Sequence, residues 1–170
     1  MKTIIRILPI LILNLLLASC HTAESVAKVS DSKSMILYQQ ALDALENHKF
    51  IIEATELYLP ISKVSIKSSI GSYISMLGQY AIINFTPDVF PGDPWPYLKI
   101  EDTAAEIKTA KIKTNGDLQF DMKIEGNQEW LKRRILITVY KNTNQCFVQV
   151  NDRAGTNIIN FRGNIYTKAE

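Results

Sequence analysis

From Lys49 to the end of the chain, short apolar runs alternate with turn residues, and this pattern restricts the fold more than any other feature of the sequence. Branched and aromatic residues fill the runs, whereas glycine, proline, asparagine and aspartate separate them. The helix-length segments that connect parallel strands do not occur between the runs. The sequence therefore predicts a mainly β fold, in which an antiparallel meander sheet is curled into a barrel-like or sandwich domain.

The apolar runs correspond to nine or ten strands. The expected strands are Phe50–Leu59, Ile61–Lys67, Ser72–Leu77, Tyr80–Phe85, Tyr97–Ile100, Ala104–Lys113, Asp117–Glu125, Leu131–Lys141, Gln145–Asn151 and Ile158–Tyr166. The four prolines between Thr86 and Pro96 exclude a central strand there, because proline cannot donate to a ladder.

One amphipathic helix is expected before the strands. Its apolar positions recur at helical spacing, and they are Met35, Tyr38, Leu42 and Leu45. This face is expected to pack on its own domain, and a helix that binds a partner or lies on a membrane is the alternative. Ser30, Asp31 or Ser32 is expected to cap the start of the helix, and Asn47 to take the left-handed conformation at its end.

Strand parity predicts the register of two hairpins. In the first, a three-residue turn puts Gly116 in the left-handed bulge position. That register pairs Ile112 with Leu118 and Ala110 with Phe120.

The second hairpin turns within Lys141–Asn144. Alternation then places Ile135, Ile137 and Val139 on the same apolar face as Cys146, Val148 and Val150. Cys146 is therefore expected opposite Val139, facing the core, as is usual for an unpaired cysteine.

The first twenty residues have the organisation of a bacterial lipoprotein signal. Lys2 and Arg6 precede a mainly apolar segment, and Leu17-Ala18-Ser19-Cys20 resembles a lipobox. The sequence predicts a signal peptide over 1–19, lipidation of Cys20, a flexible tether over 20–34 and a single domain over 35–170. An ordinary signal peptide or an apolar N-terminal helix is the alternative.

The residues after the lipidated position indicate where the protein is expected. Thr22 is not the aspartate that typically retains lipoproteins in the inner membrane, and no acidic run follows Cys20. The prediction is therefore a lipid anchor in the outer membrane, with the domain facing the periplasm.

The charge of the mature chain argues against a nucleic-acid partner. The full sequence has 19 Lys and Arg against 17 Asp and Glu. Lys2 and Arg6 leave with the signal, so the mature chain is formally neutral and has no global basic field.

The sequence contains no recognisable catalytic motif, and it predicts no enzyme, no metal and no cofactor. The histidines, His21 and His48, have no ligand spacing. Cys146 is expected to be buried, away from the base that a nucleophile requires. Acidic groups such as Glu53 with Glu56 lack the aromatic row of a glycosidase and are expected to be solvated.

Two segments are candidate binding sites. Phe90, Trp95 and Tyr97 lie on a backbone restricted by prolines, which would present a preordered apolar surface. The alternative is a lid that buries Phe90 and Trp95. In the second segment, Trp130 precedes three consecutive cations that include Arg133, and these either contact an anionic sugar, a phosphate or a partner, or form the solvated face and rim of a strand.

Several motifs resemble the bacterial envelope lipoproteins grouped as domain-of-unknown-function family 4251. They are Ala44–Ala54, Tyr73–Gly78, Lys113–Phe120 and Phe161–Gly163, within a resemblance that covers about Leu42 to Tyr166. The resemblance implies a secreted or lipid-anchored, largely β domain without an assigned enzyme activity.

The predicted function is therefore a non-enzymatic binding or structural domain of the cell envelope. Its expected partners are the membrane, through the lipid, and an envelope protein or glycan. The alternative is a lipocalin-like carrier, with a small apolar ligand in a cavity lined by Ile112, Phe120, Ile137 and Val148.

Overall fold

The computed structural model describes residues 32–59, 64–67, 71–85, 98–126 and 128–169. The predicted signal peptide, most of the predicted tether and the proline-rich segment 86–97 lie outside these residues. The chain divides into two units, Met1–Ile36 and Leu37–Glu170, and the fold described below is that of the second unit. Within the described ranges, no helix has the length and apolar character needed to cross a bilayer.

Helix α1 covers residues 32–46. The described strands are β1 (Lys49–Leu59), β2 (Val64–Lys67), β3 (Tyr73–Leu77), β4 (Tyr80–Phe85), β5 (Leu98–Asp102), β6 (Glu106–Ile112), β7 (Leu118–Ile124), β8 (Arg133–Val139), β9 (Gln145–Asn151) and β10 (Asn157–Thr167). A one-turn 3-10 helix, Glu129–Leu131, lies between β7 and β8.

All strand pairs in the described residues are antiparallel and belong to one sheet, with the order β5-β4-β3-β1-β10-β9-β8-β7-β6. β2 pairs with β1 outside this path. Strand β1 therefore lies in the middle of the sheet and joins two meanders through its pairing with the last strand. The sheet is curled into a half-barrel, which confirms the predicted mainly β fold with one helix near the N-terminus.

The core occupies one face of the sheet, because buried and more exposed residues alternate along the strands. The largest fully buried side chains include Phe50, Phe85, Phe120 and Phe161. The rings of Phe85 and Phe161 make an edge contact with centroids 5.8 Å apart. Burying such a side chain contributes roughly 1.5–3 kcal/mol relative to leaving it exposed.

Helix α1 contacts this core through three of the four predicted residues and through two alanines that were not predicted. Ala41, Ala44 and Leu45 are buried, and Tyr38 and Leu42 are partly buried against the core cluster. The small alanines allow close approach, so the contact line is centred on Ala41. The assignment of Met35 to the buried face is wrong, because its side chain is 59% exposed. The helix also includes residues 32–34 of the predicted tether.

The end of helix α1 differs from the prediction by one residue. His48, with a φ of 56°, takes the left-handed conformation that was expected at Asn47. Asn47 instead uses its side chain, whose Nδ2 donates to the carbonyl oxygen of Asp43 at 2.7 Å. This hydrogen bond satisfies a terminal carbonyl of the helix, as a C-cap normally does.

The first predicted hairpin is partly correct. Ile112 pairs with Leu118, and Gly116 has a φ of 88°, as expected. The pairing of Ala110 with Phe120 is wrong, because the register shifts between Thr109 and Lys111 and Phe120 lies opposite Thr109. Ala110 is thus the extra residue of a β-bulge, which the uniform alternation assumed from sequence did not include.

The second hairpin has the predicted register. Val139 pairs with Cys146, Ile137 with Val148 and Ile135 with Val150. All six side chains are 0% exposed. The inward placement of Cys146 is therefore confirmed.

Candidate functional site

The structure describes one side chain among the five predicted binding residues. Phe90, Trp95 and Tyr97 lie outside the described residues, as does the lipidation site Cys20. The backbone of Trp130 belongs to the 3-10 helix, but its side chain lies outside the description. Arg133, the first residue of β8, is partly buried and lies in a group of charged residues.

A tight connection between β7 and β8 positions these charges. Gly126 has a φ of 61°, and a Cβ added there would lie 2.8 Å from the Cβ of Leu131. Only glycine fits this conformation without strain. Leu131 packs against the hydrophobic core, so the charged residues on either side of it are held at the rim of the sheet.

Ion pairs link this connection to the turn between β9 and β10. Lys132 Nζ lies 2.8 Å from Glu129 Oε1 and 3.1 Å from Glu125 Oε2. Arg153 Nη1 lies 2.6 Å from the other oxygen of Glu129. We call Glu125, Glu129, Lys132, Arg133 and Arg153 the charged cluster. A surface cavity of about 520 Å³ adjoins it, lined by Glu129, Asp152, Arg153 and Ala154.

Hydrogen bonds fix the backbone conformation of the β9–β10 turn, which contains Arg153. Asp152 Oδ1 accepts a hydrogen bond from the Thr156 amide at 2.8 Å, and Gly155 adopts a φ of 84°. The Asp152 amide also donates to the Thr156 carbonyl oxygen at 2.9 Å. These bonds close the turn and fix the direction in which Arg153 leaves it.

The electrostatics of the charged cluster follow from its pairing. The hydrogen bond from Lys132 lowers the pKa of Glu129, and the same bond raises the pKa of Lys132. Burial lowers the pKa of Arg133, and the charge of Asp152 opposes that change. Because acids and cations alternate, the cluster presents a mixed-charge surface instead of a uniformly basic one.

The three consecutive cations have three different environments. Lys132 pairs with two glutamates, while Arg133 points to the core side of β8 and donates from Nη1 to the Lys132 carbonyl oxygen at 2.8 Å. Arg134 points to the other side and donates to both carboxylate oxygens of Asp121, with a shortest distance of 2.7 Å. Lys132 and Arg134 therefore lie at the rim and on the solvated face of the strand, a position that is compatible with contact to a partner.

Two acidic residues at the end of β5 have structural partners. Asp102 accepts hydrogen bonds from the amides of Ala104 at 3.1 Å and Glu125 at 2.8 Å, which ties the β5–β6 turn to the end of β7. Glu101 pairs with Lys99 at 2.6 Å. In the described part of the chain, no three His, Cys, Asp or Glu side chains are grouped so that they could hold a metal ion.

Cys146 lies in an environment that suppresses its reactivity. Its side chain is 0% exposed, and Sγ donates to the Gly163 carbonyl oxygen at 3.6 Å. Burial raises the pKa of the thiol well above its ordinary value. The thiolate, which is the nucleophilic form, is therefore disfavoured.

In the described part of the chain, the residues of the carrier hypothesis do not share a cavity. Phe120 is 2% exposed and lines a small surface pocket of about 180 Å³ with Leu45 and Ile107, whereas Ile137 and Val148 are 0% exposed. Ile112, at the end of the edge strand, is 72% exposed.

Glu129, Arg153 and their ion pair were not predicted from the sequence. Arg153 follows β9 by two residues, and its contact with the β7–β8 connection depends on the register of three strands. No local motif marks such a pair. The useful signal is the correctly predicted β8–β9 register, which brings the end of β9 opposite the start of β8.

Comparison with solved structures shows that the fold is shared. The chain is similar to the crystal structure of a DUF4251 family protein from Bacteroides eggerthii DSM 20697, with a TM-score of 0.64 and 17% sequence identity. The match covers 81% of this chain and 91% of that chain. No protein-family model matches the sequence. No curated protein matches it either. The resemblance noted in the sequence is thus confirmed by a family structure, at the level of the fold.

Proposed function

We propose that this chain is a lipid-anchored protein of the bacterial envelope, and that it acts by binding another envelope component and not by catalysis. The observation that carries the proposal is the motif Leu17-Ala18-Ser19-Cys20 directly after an apolar segment with a basic start. Thr22 and the absence of an acidic run after Cys20 in the sequence support an outer-membrane anchor with the domain facing the periplasm.

The charged cluster supports binding at the surface of the domain. Arginine is enriched at protein interfaces, and alternating charges favour a partner of complementary pattern. The complete burial of Ile137 and Val148 also favours recognition at the surface over recognition inside the sheet. We therefore place an envelope protein partner at the charged cluster.

Anchoring is tested with Cys20→Ser. The wild-type chain should incorporate labelled fatty acid and sediment with the outer membrane, and the variant should do neither. Fatty-acid labelling of Cys20→Ser would refute lipidation at this residue. A labelled wild type that sediments with the inner membrane would leave lipidation intact and refute the membrane assignment.

The partner surface is tested by crosslinking in intact envelopes. Combined charge reversal by Lys132→Glu and Arg153→Glu should abolish a crosslinked product, since like charges at an interface cost several kcal/mol. Reversal of the exposed Lys99, which lies on β5, is the matched control and should preserve the product. Equal crosslinking of both variants would exclude the charged cluster as the contact surface.

Trp95 remains a second candidate anchor for the same function. If it binds a partner, Trp95→Ala should leave stability within about 0.5 kcal/mol and abolish crosslinking. If it is a lid, the same change should cost roughly 3–5 kcal/mol. Thermal unfolding and crosslinking of one variant distinguish the two roles.

A further inference from the structure

We propose that a groove on the outer face of the sheet, opposite the core, is a binding site for a neutral saccharide. The groove has a volume of about 290 Å³, near the lower end of the roughly 300–1,000 Å³ of small-molecule sites. We call it the bulge groove. Its polar lining consists of Thr55, Glu56, Tyr140, Gln145, Arg162 and Asn164.

The groove exists because strand β1 contains an extra residue. Ala54 pairs with Gly163 and Glu56 pairs with Arg162, so Thr55 has no paired residue in the β1–β10 ladder. The Thr55 hydroxyl donates to the Arg162 carbonyl oxygen at 3.1 Å, which holds the bulge against β10. Bulges interrupt a ladder and redirect side chains, and they are over-represented next to active sites.

The floor of the groove is rigid and closely packed. Gly163 and the buried Cys146 form it. A Cβ added to Gly163 would lie 2.5 Å from the carbonyl oxygen of Glu53, so only glycine permits this approach of the two strands. A ligand would therefore rest on a surface that does not need to reorganise, which lowers the cost of binding.

The charges in the groove compensate each other. Arg162 Nη1 lies 3.5 Å from Glu56 Oε2, with the arginine side chain 59% and the glutamate side chain 21% exposed. Ser65 donates to the other glutamate oxygen at 3.1 Å. One cation beside one anion favours a ligand without net charge. A guanidinium fork and a carboxylate together match neighbouring hydroxyl groups, which both donate and accept hydrogen bonds.

Tyrosines flank these charges. The Arg162 guanidinium lies over the Tyr58 ring, 5.9 Å from its centroid, and this cation–π contact orients it. A hydrogen bond to Glu56 raises the pKa of Tyr58. Tyr140 lines the groove and supplies an apolar ring with a polar end. Such a ring suits the C–H face of a pyranose, while its hydroxyl can bind a sugar hydroxyl.

Two amide side chains complete the polar lining. Gln145 and Asn164 are cross-strand partners in β9 and β10. Within the part of the chain that the structure describes, neither side chain makes a hydrogen bond to protein. Each amide offers donors and an acceptor in one plane, which is the pattern that adjacent hydroxyl groups require.

The proposal is tested by titrating the full mature chain, in detergent, with maltotriose and with chitotriose. At least one of these neutral saccharides should bind with a Kd below about 10 mM, measured by calorimetry. Arg162→Ala should weaken that binding by at least tenfold, and Gln145→Ala, at the exposed rim, should weaken it by a smaller factor. Lys99→Ala removes another exposed, ion-paired cation of the sheet and should leave the affinity unchanged.

Three results would overturn the proposal. The first is no binding of either saccharide at about 10 mM. The second is equal affinity of Arg162→Ala and Lys99→Ala. The third is tighter binding of trigalacturonate, which would mean that the groove selects an anion. Unfolding curves of each variant separate loss of binding from loss of fold.

This site extends the proposed binding function by naming a ligand class, but the two are tested separately. Fractionation of Cys20→Ser reports only on anchoring, and crosslinking reports only on the charged cluster. Saccharide titration reports only on the bulge groove. A negative result in one of these three tests therefore does not contradict the claims that the other two examine.

Discussion

Two places on the outer face of the sheet carry almost the same side chains with different consequences. At the bulge, Glu56 contacts Tyr58 and Arg162. On β4 and β5, Glu101 accepts a hydrogen bond from Tyr80 at 2.9 Å and pairs with Lys99 at 2.6 Å. The first group borders a groove that arises from an interrupted ladder, whereas β4 and β5 pair without a register shift.

The comparison indicates that backbone geometry, and not residue type, distinguishes a candidate site from a surface ion pair. In the regular ladder, the cation and the carboxylate are in close contact and satisfy each other. At the bulge, the Arg162 to Glu56 distance is 3.5 Å, and the arginine side chain is 59% exposed. We therefore expect perturbations at the bulge to affect recognition, and those at β4–β5 to affect only local electrostatics.

The largest expected effect concerns the thiol beneath the groove. In a Cys20→Ser background, Cys146 should react with a thiol reagent more than about 100-fold slower in the native chain than in the unfolded chain, because exposure requires opening of the core. The rate should rise with urea as unfolding becomes accessible. Fast labelling of Cys146 in the native chain would show that the groove opens into the core. It would contradict the claim that the floor of the groove is rigid.

Gly163→Ala should have the next largest effect. The added Cβ meets a backbone oxygen that cannot rotate away, so we expect a loss of about 3 kcal/mol in the free energy of unfolding. Gly78→Ala is the control, because its Cβ meets nothing within 4 Å, and only the positive φ should cost about 1 kcal/mol. Equal losses in urea unfolding would mean that β1 and β10 are not closely packed below the bulge.

The sequence predicted those parts of the fold in which alternation is uninterrupted. Val139 opposite Cys146 is correct, because β8 and β9 pair without a shift. Ala110 opposite Phe120 is wrong, because a bulge shifts the register before Ile112. A bulge has no strong residue signature, so a register extended past it fails.

The bulge groove was missed for the same reason, and the burial pattern of the structure is what locates the bulge. The buried residues of β1 have even numbers at Phe50 and Ile52, but the next one, Leu57, has an odd number. This change of parity within one strand requires an extra residue between them, and that residue is Thr55. Ligand identity leaves no comparable signal, because the lining comes from three strands and a turn.

Removal of each arginine should show which ion pair stabilises the fold. Arg134→Ala breaks a bidentate ion pair with Asp121, whose side chain is 11% exposed. It should lower the free energy of unfolding by about 1 kcal/mol. Arg162→Ala breaks one long ion pair and an exposed cation–π contact with Tyr58, and it should cost less, about 0.5 kcal/mol. Urea unfolding of the two variants gives the comparison. A larger loss from Arg162→Ala would mean that this arginine is structural and unavailable to a ligand.

The smallest expected effect is the pH dependence of folding stability that arises from Glu101 at β4–β5. Hydrogen bonds from Lys99 and then Tyr80 lower the pKa of Glu101 in the folded chain. A lowered folded-state pKa contributes stability above the unfolded pKa, and the contribution is lost as the pH falls through the folded value. Carboxyl NMR titration should therefore give Glu101 a pKa below the ordinary value of a glutamate, and Lys99→Ala should raise it. No change in the variant would contradict the pairing.

The most direct test of the account is deletion of Thr55, because the central claim is that one extra residue creates the saccharide site. Deletion preserves the alternation, since Ala54 still precedes Glu56 with Leu57 on the core side. The account predicts a folded chain with a cooperative unfolding transition and at least tenfold weaker binding of whichever of maltotriose and chitotriose the wild type binds more tightly. Wild-type affinity in the folded deletion variant would contradict it.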